Sequence, residues 1–244
     1  MMMKKAVLEV KDVTKKVKGR SLLNHMSFSV YKNEICGFVG PNGSGKTTLI
    51  RTIMGLIKPN EGEILINGVS VQKNREEALQ YVGAIVESPI FFPYMSGRKN
   101  LRNLGRITMN CGRENLEKKV EQVLKIVGLE NRADDKVGTY SLGMKQRLGI
   151  AQALIGDPDF IILDEPSNGL DPVGIKQLRK IVLDLQREKG ITFFISSHLI
   201  RELELMCDSW VMIREGALIW RGTTEELKGN NKDLEDIFVE MMSS

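Results

Sequence analysis

No apolar run in this 244-residue chain approaches the ~18 residues that a membrane-crossing helix needs. If the protein works at a membrane, a partner supplies the membrane part. The start, Met1-Met2-Met3-Lys4-Lys5, has no continuous hydrophobic stretch and no small-residue cleavage site, so it does not read as a signal peptide. Cysteine is scarce: Cys36, Cys111 and Cys207 are scattered, odd in number and lack metal-ligand spacing. That excludes a disulfide framework or a zinc site and fits reduced thiols in the cytosol. Charge of one sign is also scarce. A net charge of +4 is too small to argue for nucleic acid, and the run Lys15, Lys16, Lys18, Arg20 reads as a solvated loop. There is no internal repeat and no low-complexity tail, which leaves a single module. A chain of this length buries about 70–75% of its unfolded surface and needs neither disulfides nor metal for stability.

One stretch carries a sharp signal. Gly40-Pro41-Asn42-Gly43-Ser44-Gly45-Lys46-Thr47-Thr48 fits G-x-x-x-x-G-K-[ST]. Before it, Ile35-Cys36-Gly37-Phe38-Val39 reads as a buried strand; after it, Thr48 to Met54 reads as a helix stopped by Gly55. Strand, glycine loop and helix together make an anion site, because glycines let the backbone wrap a phosphate while N–H groups and the helix dipole point at it. Lys46 supplies a point charge for the β and γ phosphates, and the Thr47 hydroxyl can ligate Mg²⁺. The stretch predicts a nucleoside triphosphate site.

Around it the chain reads as α/β. Short strands are expected at Ala6–Val10 and Met26–Val30, then at Glu61–Ile66 before the turn signal Asn67-Gly68, and at Val82–Val86. From about Ser96 to Gly156 the periodicity becomes helical, with Leu116, Val120, Val123, Leu124 and Val127 on one face and Gly128 as a C-terminal cap. Strands return at Phe160–Leu163 and Ile191–Ile195. Helices are expected at about Val173–Glu188 and Ile200–Met206, a hairpin at Trp210–Ile213 and Ala217–Trp220, and two short polar helices at the end. This is a helical subdomain mounted on an α/β core.

The Phe160–Leu163 strand ends in two carboxylates. Neighbours on a strand face opposite ways, so Asp164 suits the Mg²⁺ shell while Glu165 suits a general base for the attacking water. Between loop and carboxylates lies Tyr140-Ser141-Leu142-Gly143-Met144-Lys145-Gln146-Arg147, just before a helix. Ser141 is a good N-cap and Gly143 permits close backbone approach, so this is a second helix end able to meet phosphate.

Taken together, the set resembles the nucleotide-binding ATPase subunit of ABC transporters over nearly the whole chain. The motifs stand in family order: the phosphate loop, the signature-like Ser141-Leu142-Gly143, Asp164-Glu165, the D-loop Ser167-Asn168-Gly169-Leu170-Asp171, and Ser196-Ser197-His198. The resemblance implies a P-loop NTPase core with a mixed sheet, an N-terminal antiparallel β subdomain and an inserted helical subdomain. The chain would be one domain, with residues 1–87 and 157–244 as core and 88–156 as insert. It implies ATP and Mg²⁺ as ligands, and His198 as the switch residue that contacts the γ-phosphate and helps place the water. It also implies a head-to-tail pair of modules, two copies of this chain or a paired ATPase. Each ATP then lies between one phosphate loop and the partner's Ser141, Leu142, Gly143 and Met144, with Asp171 in the D-loop. Work would be done on separate membrane permease subunits, from a cytoplasmic position on the inner face of the membrane, with no nucleic acid involved. His25 has no such context and is read as structural.

Three positions depart from the family. Glu87 stands where glutamine closes the strand before the insert; it keeps an oxygen for metal or metal-bound water and loses the amide donor. Tyr140, Leu142 and Met144 replace the usual Leu, Gly and Gln of the signature. Val17 occupies the region where an aromatic usually stacks on adenine, so apolar contact and weaker base selectivity are expected. The first two departures look like the bacitracin-resistance and lantibiotic-immunity ATPases, which implies expulsion of a peptide antibiotic. Soluble ATPases of the same type that act on ribosomes or DNA are the rival class. The single module, the modest charge and the lack of a long coiled-coil insert speak against them, while an importer would normally keep the glutamine. Glu87 through about Arg98, with Phe91, Phe92 and Tyr94, is the candidate contact with the membrane partner; the alternative is that these aromatics only pack the insert onto the core.

Overall fold

The computed structural model describes residues 5–108, 112–228 and 234–243. Cys111 and the first four residues, on which expectations fell, lie outside the described residues. In chain order the strands are β1 (Ala6–Val17), β2 (Arg20–Tyr31), β3 (Ile35–Val39), β4 (Glu61–Ile66), β5 (Val69–Ser70), β6 (Val82–Ile85), β7 (Phe160–Asp164), β8 (Thr192–Ser197), β9 (Ser209–Arg214) and β10 (Ala217–Thr223). The helices are α1 (Lys46–Ile53), α2 (Arg75–Leu79), α3 (Gly97–Thr108), α4 (Arg113–Ile126), α5 (Leu142–Leu154), α6 (Pro172–Lys189), α7 (Ile200–Glu204), α8 (Thr224–Lys228) and α9 (Leu234–Ser243).

Two sheets result. An antiparallel one has the order β2-β1-β4-β5; a six-stranded one has the order β10-β9-β3-β8-β7-β6, parallel except for β10 against β9. The central strands are apolar at nearly every position because both of their faces are covered. On β3, Cys36 and Phe38 face the antiparallel sheet while Ile35 and Val39 face the helices. On β7, Phe160 and Ile162 take the first side, Ile161 and Leu163 the second. Phe28, Phe38 and Phe194 stack between the sheets, the last two with centroids 4.9 Å apart.

Where the sequence predicts two five-residue strands at the start, the structure has two of twelve. Asp12 (φ 50°) and His25 (φ 48°) are left-handed, and the β1–β2 register shifts between Val10 and Val13 and again before Lys15. Each irregularity resets the two-residue alternation, so the visible pattern stops at Val10 although pairing continues. His25 Nδ1 lies 2.8 Å from Asp12 Oδ1 at this exposed irregularity, a structural place. Helix α2, absent from the sequence reading, has five residues and is capped by Asn74; it is too short to show helical periodicity.

Helices α3, α4 and α5 lie between β6 and β7, forming the helical stretch expected there. Gly128 takes φ +63° directly after the α4 cap residue Val127, the left-handed ending that glycine favours. Arg98 on α3 bonds Asp134 at 2.9 Å and pairs with Glu121 on α4; Arg102 meets Glu117 at 2.6 Å. These pairs tie the insert together.

Candidate nucleotide site

The loop of residues 40–45 joins the C-terminal end of β3 to α1, at the same edge of the sheet where β7 and β8 end. Gly45 is the N-cap of α1 at φ +107° and supplies no side-chain cap, so the first-turn N–H groups stay open to a ligand. A Cβ on Gly45 would sit 2.7 Å from the Leu22 carbonyl oxygen of β2, a clash that only glycine avoids. The β9–β10 turn closes from the other side: Gly216 N donates to Ser44 O at 2.8 Å, and Asn24 N donates to Gly216 O at 2.8 Å. The loop is thus clamped between β2 and that turn. Ser44 Oγ is buried with no hydrogen-bond partner. A buried hydroxyl left unpaired costs free energy, and here it sits in a cradle of amide donors, so the residues fit a bound phosphate.

Lys46 is nearly buried, at 6% exposure. Its Nζ donates to Gly40 O at 2.7 Å and to Pro41 O at 3.3 Å, and lies 3.2 Å from Glu165 Oε1. The other Glu165 oxygen faces His198 Nδ1 at 2.7 Å and accepts from His198 N at 3.3 Å. Since a carboxylate only accepts, Nδ1 carries the hydrogen in that contact. Glu165 also takes φ +49°, a left-handed conformation uncommon outside glycine and found at functional sites. Asp164 points the other way. Its Oδ2 accepts from Thr47 Oγ1 at 3.0 Å and its Oδ1 from Ser196 Oγ at 2.5 Å. A hard carboxylate beside a hydroxyl at the helix start suits Mg²⁺, so Thr47 and Asp164 fit that ion.

Ser196 was missed. It pairs in register with Asp164 across β7 and β8, and its hydroxyl also accepts from Glu165 N at 2.9 Å, so it holds the Asp164 carboxylate and the Glu165 backbone together. The available signal was a polar residue ending an apolar strand, next to the singled-out His198. Arg51, Arg20 and Leu22 were missed as well. Arg51 on α1 pairs with Glu87, which takes φ +64° just beyond β6. Glu87 is therefore held on the α1 side of the site by a cation rather than lying on Asp164 or Thr47. Arg20 and Leu22 line a cavity of about 400 Å³ together with Asn42, Gly43, Lys46 and Thr48. Val17 is 44% exposed and is not part of that lining.

The signature segment lies elsewhere. Ser141 caps α5, its Oγ accepting from Met144 N at 3.2 Å, and Asp171 caps α6, its Oδ1 accepting from Gly174 N at 2.7 Å. Ser141, Leu142, Gly143 and Met144 share a separate groove of about 320 Å³ with Gly169, Leu170 and Asp171. Tyr140 is buried and its hydroxyl donates to Arg132 O at 2.6 Å, so its departure from the usual leucine serves packing of the insert. Within one chain, phosphate loop and signature do not meet.

Comparison with known proteins decides the family. The family profile described as ABC transporter matches residues 23–168. The chain belongs to the ABC transporter ATP-binding family. As a member it is an ATP-binding and ATP-hydrolysing subunit of such a transporter. It is 45% identical over 234 residues to an uncharacterized ABC transporter ATP-binding protein of Bacillus subtilis, YhcH, covering 96% of this chain and 74% of that protein. It is 42% identical to the bacitracin transport ATP-binding protein BcrA of Bacillus licheniformis, over 93% of this chain and 72% of that one. It is 35% identical to the lantibiotic transport ATP-binding protein SrtF of Streptococcus pyogenes, over 95% and 96%. In structure it resembles cbiO1 of Clostridium perfringens, part of the transporter complex cbiONQ, with a TM-score of 0.86, 28% identity and coverage of 96% and 95%. These matches bear out the expected fold: a mixed sheet, an antiparallel N-terminal sheet and the helical stretch between β6 and β7. Among the described residues no helix is long and apolar enough to cross a membrane.

Proposed function

We propose that this ATPase subunit drives permease subunits that remove a peptide antibiotic of the bacitracin or lantibiotic kind from the membrane. The support is the kinship to BcrA and SrtF combined with Glu87, the departure that first suggested that group. The surface for the permease is the segment after Glu87. Phe91 packs inward on the core, whereas Ile90 (92% exposed), Phe92 and Tyr94 face out. Asn100 holds this segment rigid: its Oδ1 accepts from Phe92 N at 2.9 Å and its Nδ2 donates to Phe92 O at 3.1 Å. A preformed apolar patch of this kind suits docking of a short partner helix. In this reading the subunit works from the cytoplasmic face of the membrane.

For ATP the single supporting observation is the pair of contacts on Glu165, from Lys46 and from His198. Lys46 leaves Glu165 for the β and γ phosphates, which frees Oε1 to face the attacking water. His198 keeps the carboxylate oriented and comes to lie beside the γ-phosphate. Thr47 and Asp164 would hold Mg²⁺, which would supply charge neutralisation for the phosphates. Glu87, once released from Arg51, would be free to contribute an oxygen toward that ion.

The separation of the two grooves supports a composite site, in which the Ser141 groove of a second module covers the phosphate loop of the first. Light scattering of the Glu165→Gln variant tests this, because slow hydrolysis holds the ATP state. A shift from monomer to dimer with Mg-ATP is expected. A monomer at saturating nucleotide overturns pairing of two copies.

A further inference from the structure

The phosphate loop accounts for one end of a nucleotide and says nothing of the other. The turn between β1 and β2 borders the same cavity through Arg20. Lys18 (φ 48°) and Gly19 (φ 80°) are both left-handed, the signature of a tight two-residue hairpin whose twist matches its strands. Such a turn fixes the register, and it sets Val17 directly opposite Arg20. Residues directly opposed in an antiparallel pair share a face. Val17 and Arg20 therefore stand side by side, and of the two only Arg20 lines the nucleotide cavity.

Position along β2 says what Arg20 reaches. The Leu22 carbonyl touches the Gly45 position at the mouth of the phosphate loop. A register shift at Leu22 interrupts the alternation there, yet Arg20 and Leu22 both line the cavity, with Arg20 two residues nearer the turn and further from the phosphates. Among the described residues no hydrogen bond or ion pair engages the Arg20 side chain, so its guanidinium is free to meet a ligand. The phosphate end already has Lys46 and the first-turn amides of α1. On the β2 side the lining residues are Leu22, apolar, and Arg20, a planar cation.

We infer that Arg20 forms the purine end of the site, with its guanidinium plane lying on the base. This rests on the reading that the phosphate loop binds nucleotide. A guanidinium is flat, delocalised and weakly hydrated, so it stacks on π faces as an ammonium does not. Stacking reads the face of a base and not its hydrogen-bonding edge. ATP and GTP are then held comparably.

The test is calorimetric binding of ATP, GTP and inorganic tripolyphosphate to the full chain and to the Arg20→Ala and Arg20→Lys variants. Both variants should lose about tenfold for ATP and for GTP, the scale of losing one stacked base, with tripolyphosphate unchanged. Equal loss for tripolyphosphate would make Arg20 a phosphate contact and overturn the inference. So would full ATP affinity in Arg20→Lys, which keeps charge without the plane, or unchanged ATP binding in both variants. Lys46→Ala serves as the separate control: it should weaken ATP and tripolyphosphate alike. If it weakens neither, the nucleotide reading itself fails, independently of Arg20.

Discussion

Glu165 spans Lys46 and His198, with one carboxylate oxygen 3.2 Å from the lysine Nζ and the other 2.7 Å from the histidine Nδ1. The site therefore carries its own anion where phosphate charge is expected. Replacing Glu165 with glutamine removes that counter-charge while keeping the shape. The variant should bind ADP about tenfold more tightly, ~1.4 kcal/mol, while its hydrolysis rate falls by about 10²–10⁴. Titration calorimetry with ADP separates the two effects, since ADP does not turn over. Weaker ADP binding in the variant would show that Glu165 is no competitor for Lys46.

Arg51 and Glu87 form an exposed ion pair, and exposed pairs contribute little to stability, typically ~0.2–1 kcal/mol. The effect should appear in metal dependence instead. Arg51→Met frees Glu87 and should lower the Mg²⁺ concentration for half-maximal ATPase activity a few-fold, with melting nearly unchanged. Glu87→Gln in the same background should cancel the gain. An unchanged Mg²⁺ dependence in both would take Glu87 out of the metal shell.

Burial pushes the Cys36 thiol up to about 12, with Glu34 adding to the shift, and burial likewise raises Cys207. The thiolate is the reactive form. Neither cysteine should be alkylated by iodoacetamide at pH 8 in the folded protein, and both should react in denaturant. Mass spectrometry of tryptic peptides reads this directly. Rapid native labelling of Cys36 would contradict its burial.

The insert should loosen in acid. The Arg98 guanidinium holds Asp134 below the usual carboxylate range, and that of Arg102 does the same for Glu117. A carboxylate whose folded pKa is depressed stabilises the fold above its unfolded pKa, and the contribution is lost as pH falls through the folded value. Protection of α3 and α4 in hydrogen exchange should thus hold at neutral pH and decline below about pH 4. Because Asp134 is solvent-exposed and Glu117 only half-buried, the decline should be modest and salt-sensitive. Arg98→Met should show the weakened state already at pH 7.

Much of this was legible in the residues. The Gly40–Thr48 stretch and Asp164-Glu165 announce themselves because phosphate chemistry restricts residue type and spacing together. The helical stretch after Pro93 was visible because its 3.6-residue pattern persists over several turns. The lengths of β1 and β2 were not visible, since Asp12 and His25 interrupt the alternation while the ladder goes on. Nor were Ser196, Arg51 and Arg20, whose parts depend on neighbours distant in sequence. Ser196 looks like an ordinary strand end until β7 lies beside it, and Arg51 like an ordinary helix charge until Glu87 arrives.

The clamp on the phosphate loop bears on synthesis of the chain. Gly45 abuts Leu22, and Ser44 is tied to Gly216, which follows Gly45 by 171 residues (216 − 45). Every motif from Gly40 to His198 leaves the ribosome before that tie can form. A nascent chain carrying the full set of motifs therefore still lacks the backbone that shapes its anion cradle. Competence for nucleotide arrives late, with the β9–β10 turn, and a fragment ended before it would be a poor ATP binder despite an intact set of motifs.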